Sequence, residues 1–87
     1  MFTVTSAFNQ FFTMEIDEQL FIVKFGKHLR QIRFENNLSQ EMLANDANIP
    51  INQIGRIERA EISTSLSTLY KIAKALNISV KHLLDFE

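Results

Sequence analysis

Three tripeptides of one design constrain this chain more than any other feature: Asn37-Leu38-Ser39, Asn48-Ile49-Pro50 and Asn77-Ile78-Ser79. Asn is the best non-glycine residue for the left-handed backbone conformation that closes a helix. The Leu or Ile that follows can form the outer half of a hydrophobic staple for the next helix. Ser39 and Ser79 are then N-caps, accepting hydrogen bonds from orphan amides of the helix they precede. Each tripeptide therefore reads as a helix ending, a turn and a new helix. The chain needs such marks, because its only glycines are Gly26 and Gly55 and its only proline is Pro50.

Between the marks the apolar residues recur at three and four positions, which is helical spacing. Ile22, Phe25, Leu29 and Ile32 predict a first helix over 18–36. Met42, Leu43 and Ala47 predict a short second helix over 40–46, and Ile51, Ile54 and Ile57 a third over 51–59. Leu66, Leu69, Ile72, Ala73 and Leu76 predict a fourth over 65–76, with Ser65 as its cap. Val80, Leu83 and Leu84 predict a last short helix over 80–85. No strand-like alternation interrupts 21–87, so the fold class is all-α.

At 87 residues the chain is one domain with a modest core. Cysteine is absent, which excludes disulfides, thiolate metal sites and cysteine nucleophiles. His28 and His82 lie far apart, and neither has a partner at metal-ligand spacing. No apolar run approaches the roughly 20 residues that span a bilayer. No nucleophile–base set, carboxylate pair or phosphate loop is visible, so an enzyme is not expected. The net charge of −1 argues against coating nucleic acid by bulk charge. It is unevenly placed, however: all nine Lys and Arg fall after residue 20, against seven acids, a balance of +2. Residues 1–20 hold Glu15, Asp17 and Glu18 and no base.

Residues 1–14, MFTVTSAFNQFFTM, are uncharged and rich in Phe and Thr. They lack the basic start and small-residue cleavage site of a secretory signal. Two alternatives stand: the true start is Met14, or residues 1–17 form an apolar arm, ahead of a domain over 18–87, that packs against a second subunit.

The second and third helices carry the functional signal. The second is barely two turns, too short to stand alone, and such a helix serves as a brace. Two short helices joined by a tight turn read as a helix-turn-helix, whose second helix enters the major groove of DNA while the first crosses the backbone. Ala44 is small where the two axes must approach, and Asn48 takes the turn position that needs positive φ. Ile49, Ile54 and Ile57 lock the third helix down. Positions 52, 53, 55, 56 and 59 need nothing apolar and hold Asn, Gln, Gly, Arg and Arg.

At these residues the sequence resembles the phage-repressor family, the Cro and lambda-repressor-like (XRE) proteins. The matching stretches are Leu38-Ser39-Gln40-Glu41, Leu43-Ala44, Ile54-Gly55-Arg56-Ile57-Glu58-Arg59, the run from Ser65 to Leu76, and that from Ile78 to Leu84. Together they cover about 25–85. The resemblance implies a five-helix domain that binds double-stranded DNA, usually as a homodimer on a two-fold operator. By position it implies base contacts from Ile51, Asn52, Gly55 and Arg56, with Arg56 suited to guanine, Asn52 to adenine and Ile51 to a thymine methyl. It implies phosphate contacts from Gln40, at a helix N-terminus, and from Arg59 and Lys27. Arg33 and Glu58 match a structural ion pair tying the first helix to the end of the third.

Four positions depart from the family. Pro50 replaces a capping Ser, Thr or Asp, Ala60 a usual Gly, Thr64 a usual Pro, and Gly55 a polar reader. Arg59 has a second use, since it can balance Glu61. The reading is a cytoplasmic transcriptional regulator that works by occupancy, with no cofactor and no metal. No small-molecule effector is expected, because the chain ends at Glu87. The alternative is a helix-turn-helix turned into a protein-interaction module, like an antitoxin's partner-binding domain. Pro50, Gly55 and the acidic balance motivate it.

Overall fold

A computed structural model describes the backbone of residues 2–86 and the side chains of residues 17–86. The described residues form five helices and no strand: α1 Phe2–Glu35, α2 Gln40–Ala47, α3 Ile51–Glu58, α4 Leu66–Leu76 and α5 Val80–Leu83. Helix α2 packs on α3 and α4, α1 packs on α3, and α4 packs on α5. Their shared core holds Phe25, Leu29, Leu43, Ile54, Ile57, Ile72 and Leu83 among its larger side chains.

All three asparagines turn the chain as the tripeptides predict. Asn37, Asn48 and Asn77 have φ of 57°, 59° and 59°. The residue after each donates its N–H five residues back, Leu38 to Arg33 O, Ile49 to Ala44 O and Ile78 to Ala73 O, at 3.1, 3.0 and 3.0 Å. That is a Schellman closure, and Leu38, Ile49 and Ile78 supply the hydrophobic contact that accompanies it. Ser39, Ser65 and Ser79 cap the following helices, accepting from Met42 N, Thr68 N and His82 N.

A fourth closure ends α3. Ala60 has φ 61°, and the Glu61 N–H reaches Arg56 O at 2.9 Å. Here the left-handed residue carries a Cβ and lacks a polar side chain, which costs about 1–2 kcal/mol. Ala60→Gly should relieve that strain and give back part of it in unfolded-chain entropy. The expected result is a net gain of about 0.5–1 kcal/mol in urea unfolding; a loss would show that Ala60 is unstrained.

Two expectations need correction. Helix α1 begins at Phe2, not near residue 18, because the chain has no glycine or proline before Gly26 and so nothing stops the helix. The backbone of residues 2–17 thus continues α1; the side chains of 1–16, and with them the arm's packing and its Phe cluster, lie outside the described residues. Met42 and Leu66, assigned to the core by spacing, are 49% and 81% exposed. Each sits in the first turn of its helix, where the stripe overshoots the small core. His28 is half-buried and packs on Phe86 with ring centroids 5.3 Å apart.

Gly26 fixes how α1 meets α3. A Cβ there would lie 2.7 Å from both Ile57 O and Glu58 O. The bare backbone of α1 therefore rests on the last turn of α3 and sets the latter's position.

Candidate nucleic-acid interface

The α2–turn–α3 unit is rigid for local reasons. Ala44 and Ile54 are fully buried, so the two axes close on a methyl and a branched side chain. Asn48 reverses the chain, and Pro50 starts α3 with a backbone turn but no side-chain cap. Ile54 and Ile57 turn one face of α3 into the core, and Gly55 is buried as well. The other face presents Ile51, Asn52 and Arg56 to solvent, with Gln53 half-buried at the edge.

Gly55 is buried by two overlying side chains rather than by the core. A Cβ at Gly55 would meet Arg59 Nη1 at 2.9 Å and Gln40 Oε1 at 3.0 Å. The glycine leaves a shallow saddle on α3, and these two side chains lie across it.

Under the saddle is the ion pair that braces α3. Arg33 Nε donates to Glu58 Oε2 at 2.6 Å and Nη2 to Oε1 at 2.9 Å, with both side chains almost wholly buried. Arg33 Nη1 also donates to Leu38 O at 2.9 Å, so one guanidinium ties α1, the α1–α2 turn and α3 together. The Glu58 hydrogen bond raises the pKa of Arg33 above its usual value, against the opposing effect of burial, and keeps it charged. Gln40 joins the network, its Nε2 donating to Glu58 Oε1 at 3.0 Å. Its amide is thus held at the start of α2, beside α3.

A cleft of about 240 Å³ opens here, lined by Arg30, Arg33, Gln40, Glu58 and Arg59. Arg30 of α1 stands in it, beside Arg33. Lys27 is exposed on α1 and makes no ion pair among the described residues. Arg59 is engaged: Nε donates to Glu61 Oε2 at 2.7 Å and Nη2 to Oε1 at 3.4 Å. Arg56 Nε stands 3.7 Å from the same carboxylate. Hydrogen bonding to Glu61 raises the pKa of Arg59, and the same bond holds Glu61 below its ordinary value. Among the described residues no group of His, Cys, Asp and Glu is placed to hold a metal, and no helix is long and apolar enough to cross a membrane.

Residues 29–83 match the helix-turn-helix family profile. The chain belongs to the helix-turn-helix family of Cro- and repressor-like regulators. Control protein C.BamHI of Bacillus amyloliquefaciens is 44% identical over 63 residues, covering 71% of this chain and 78% of that protein. Control protein C.SmaI of Serratia marcescens is 48% identical over 59 residues, covering 68% and 70%. The immunity repressor of Bacillus phage phi105 is 39% identical over 62 residues, but these span only 43% of its length. The crystal structure of the restriction-modification controller C.AhdI from Aeromonas hydrophila superposes with a TM-score of 0.70 at 39% identity, covering 71% of this chain and 94% of that one. The clp gene regulator ClgR of Corynebacterium glutamicum, at a TM-score of 0.69 and 23% identity, shares the fold. This helix-turn-helix protein is a sequence-specific DNA-binding transcriptional regulator of the controller and repressor kind.

Proposed function

We propose that the protein is a controller-type regulator of a restriction–modification system, binding a two-fold operator as a homodimer with α3 in the major groove. The observation that carries this is the division of α3. Its buried face is braced by Arg33, Glu58 and Gln40, and its free face presents Ile51, Asn52 and Arg56. Identity favours a controller over a phage repressor, at 44% and 48% for the two control proteins against 39% for the immunity repressor. Residues 1–17 are a candidate contact within the dimer. Arg56 and Asn52 read base edges, Ile51 touches a thymine methyl, and Gln40, Arg59, Arg30 and Lys27 meet phosphates.

Selection of bound duplexes from a random pool tests the reading, which requires enrichment of a two-fold sequence. On that duplex Arg56→Ala is expected to cost about 1–3 kcal/mol and to relax preference at one base pair, with little effect on random DNA. Gln40→Ala is expected to weaken both by similar factors, because a phosphate contact positions without reading sequence. An unchanged ratio of specific to random affinity in Arg56→Ala would place α3 differently in the groove.

A further inference from the structure

We propose that Glu61 is a charge clamp on the DNA-binding face, holding Arg59 back so that a phosphate can engage it only in the correct register. The inference rests on the DNA-binding reading above and adds to it a residue that sets the strength of operator binding without touching DNA.

The clamp follows from the way α3 ends. The left-handed turn at Ala60 carries the backbone round so that Glu61 N–H bonds Arg56 O at 2.9 Å. That closure brings the Glu61 side chain back beside the helix it has just left, within reach of both Arg56 and Arg59. The carboxylate takes two donors from Arg59, at 2.7 and 3.4 Å, and stands 3.7 Å from Arg56 Nε. With two donors fixed on Glu61, Arg59 lies folded along α3 and its Nη1 rests over Gly55. The saddle is what permits this pose, since a Cβ at 55 would press on Nη1. Glu58 adds only a lesser attraction for Arg59, behind that of Glu61, and is itself paired with Arg33. Arg56 and Arg59 therefore carry the charge of this end of α3, and Glu61 cancels one of the two.

All three side chains are about half exposed, so a phosphate can compete with Glu61 for Arg59. The carboxylate is tethered within reach at all times, whereas on random DNA the phosphates pass at varying distances. Random complexes therefore leave Arg59 on Glu61. On the operator, base contacts by Arg56 and Asn52 fix the register and hold one phosphate beside Arg59 long enough to displace the carboxylate. Glu61 thus subtracts more from specific binding, where its bond to Arg59 must be broken, than from random binding, where the bond persists and only a weaker phosphate contact is forgone. A chain of net charge −1 is already a poor non-specific binder, and the clamp deepens that property at the reading helix.

Glu61→Gln keeps the size of the side chain and removes its charge. Titrations of random duplex and of the selected duplex, at several salt concentrations, read the effect. For random duplex the expected result is affinity raised about threefold or more at low salt, with the log–log salt slope steeper by about one, as one added phosphate contact requires. Affinity for the selected duplex should rise at least as much but with little change in slope, because there the phosphate contact already forms and only the cost of breaking the Glu61 bond is removed. In an Arg59→Gln background the same substitution should lose most of its effect. Random affinity and slope unchanged or reduced in Glu61→Gln, or an undiminished effect without Arg59, would overturn the clamp while leaving the DNA-binding reading in place. A wild-type chain that enriches no duplex would overturn that reading and the clamp with it.

Discussion

Arg33→Ala is expected to lower the stability of the domain by about 3–5 kcal/mol, the cost of removing one partner from a buried ion pair. The side chains of Arg33 and Glu58 are 6% and 3% exposed, so water cannot replace the lost guanidinium. Glu58 would retain one neutral donor, Gln40 Nε2, against a full negative charge. The Leu38 carbonyl would lose the Arg33 Nη1 bond that pins the first turn. A domain of this size has about 5–15 kcal/mol in all, so much of its margin would go. Arg56→Ala, on an exposed site, should cost within about 0.5 kcal/mol. Urea unfolding followed by far-ultraviolet dichroism compares the two directly. Equal midpoints would mean that the pair contributes no stability, whatever its geometry.

The same network shows how much of the site was legible beforehand. The asparagine turns were readable because each depends on a local property, the tolerance of Asn for positive φ, and on a bond that spans only five residues. The serine caps were readable for the same reason. The start of α1 was not, because a helix starts where nothing prevents it, and the apolar stripe over 22–32 reports only the part that packs. The covering of Gly55 was not legible, because a residue without a side chain has no hydropathy to reveal its surroundings; only the side chains of Gln40 and Arg59, arriving from other turns, bury it. Glu61 was visible as a neighbour of Arg59, but its approach to Arg56 depends on the left-handed closure at Ala60. Gly26 passed as a mere scarce glycine, because its constraint comes from residues more than thirty positions away.

Gly26→Ala should therefore be strongly destabilising, although helix propensity argues the opposite. Inside an unhindered helix, replacing Gly by Ala gains about 1 kcal/mol. At position 26 the new Cβ would stand 2.7 Å from the carbonyl oxygens of Ile57 and Glu58. These are backbone atoms in the last turn of α3, and no rotamer change moves them. Relief requires α3 to slide away from α1, which pulls Glu58 from Arg33 and lifts Ile54 and Ile57 out of the core. Overpacking of this kind costs about 1–3 kcal/mol, and the rigid partner puts the net loss at the upper end. Because α3 itself shifts, affinity for the selected duplex should fall by more than the unfolded fraction accounts for. Gly55→Ala supplies the contrast within the same protein. Its Cβ would meet only the far ends of Gln40 and Arg59, side chains that can swing aside. There the propensity gain should survive, so the variant is expected to be at least as stable as the parent. The two substitutions make one chemical change in two helices, and urea midpoints that moved in the same direction for both would show that the approach of α1 to α3 is looser than the Gly26 contact implies.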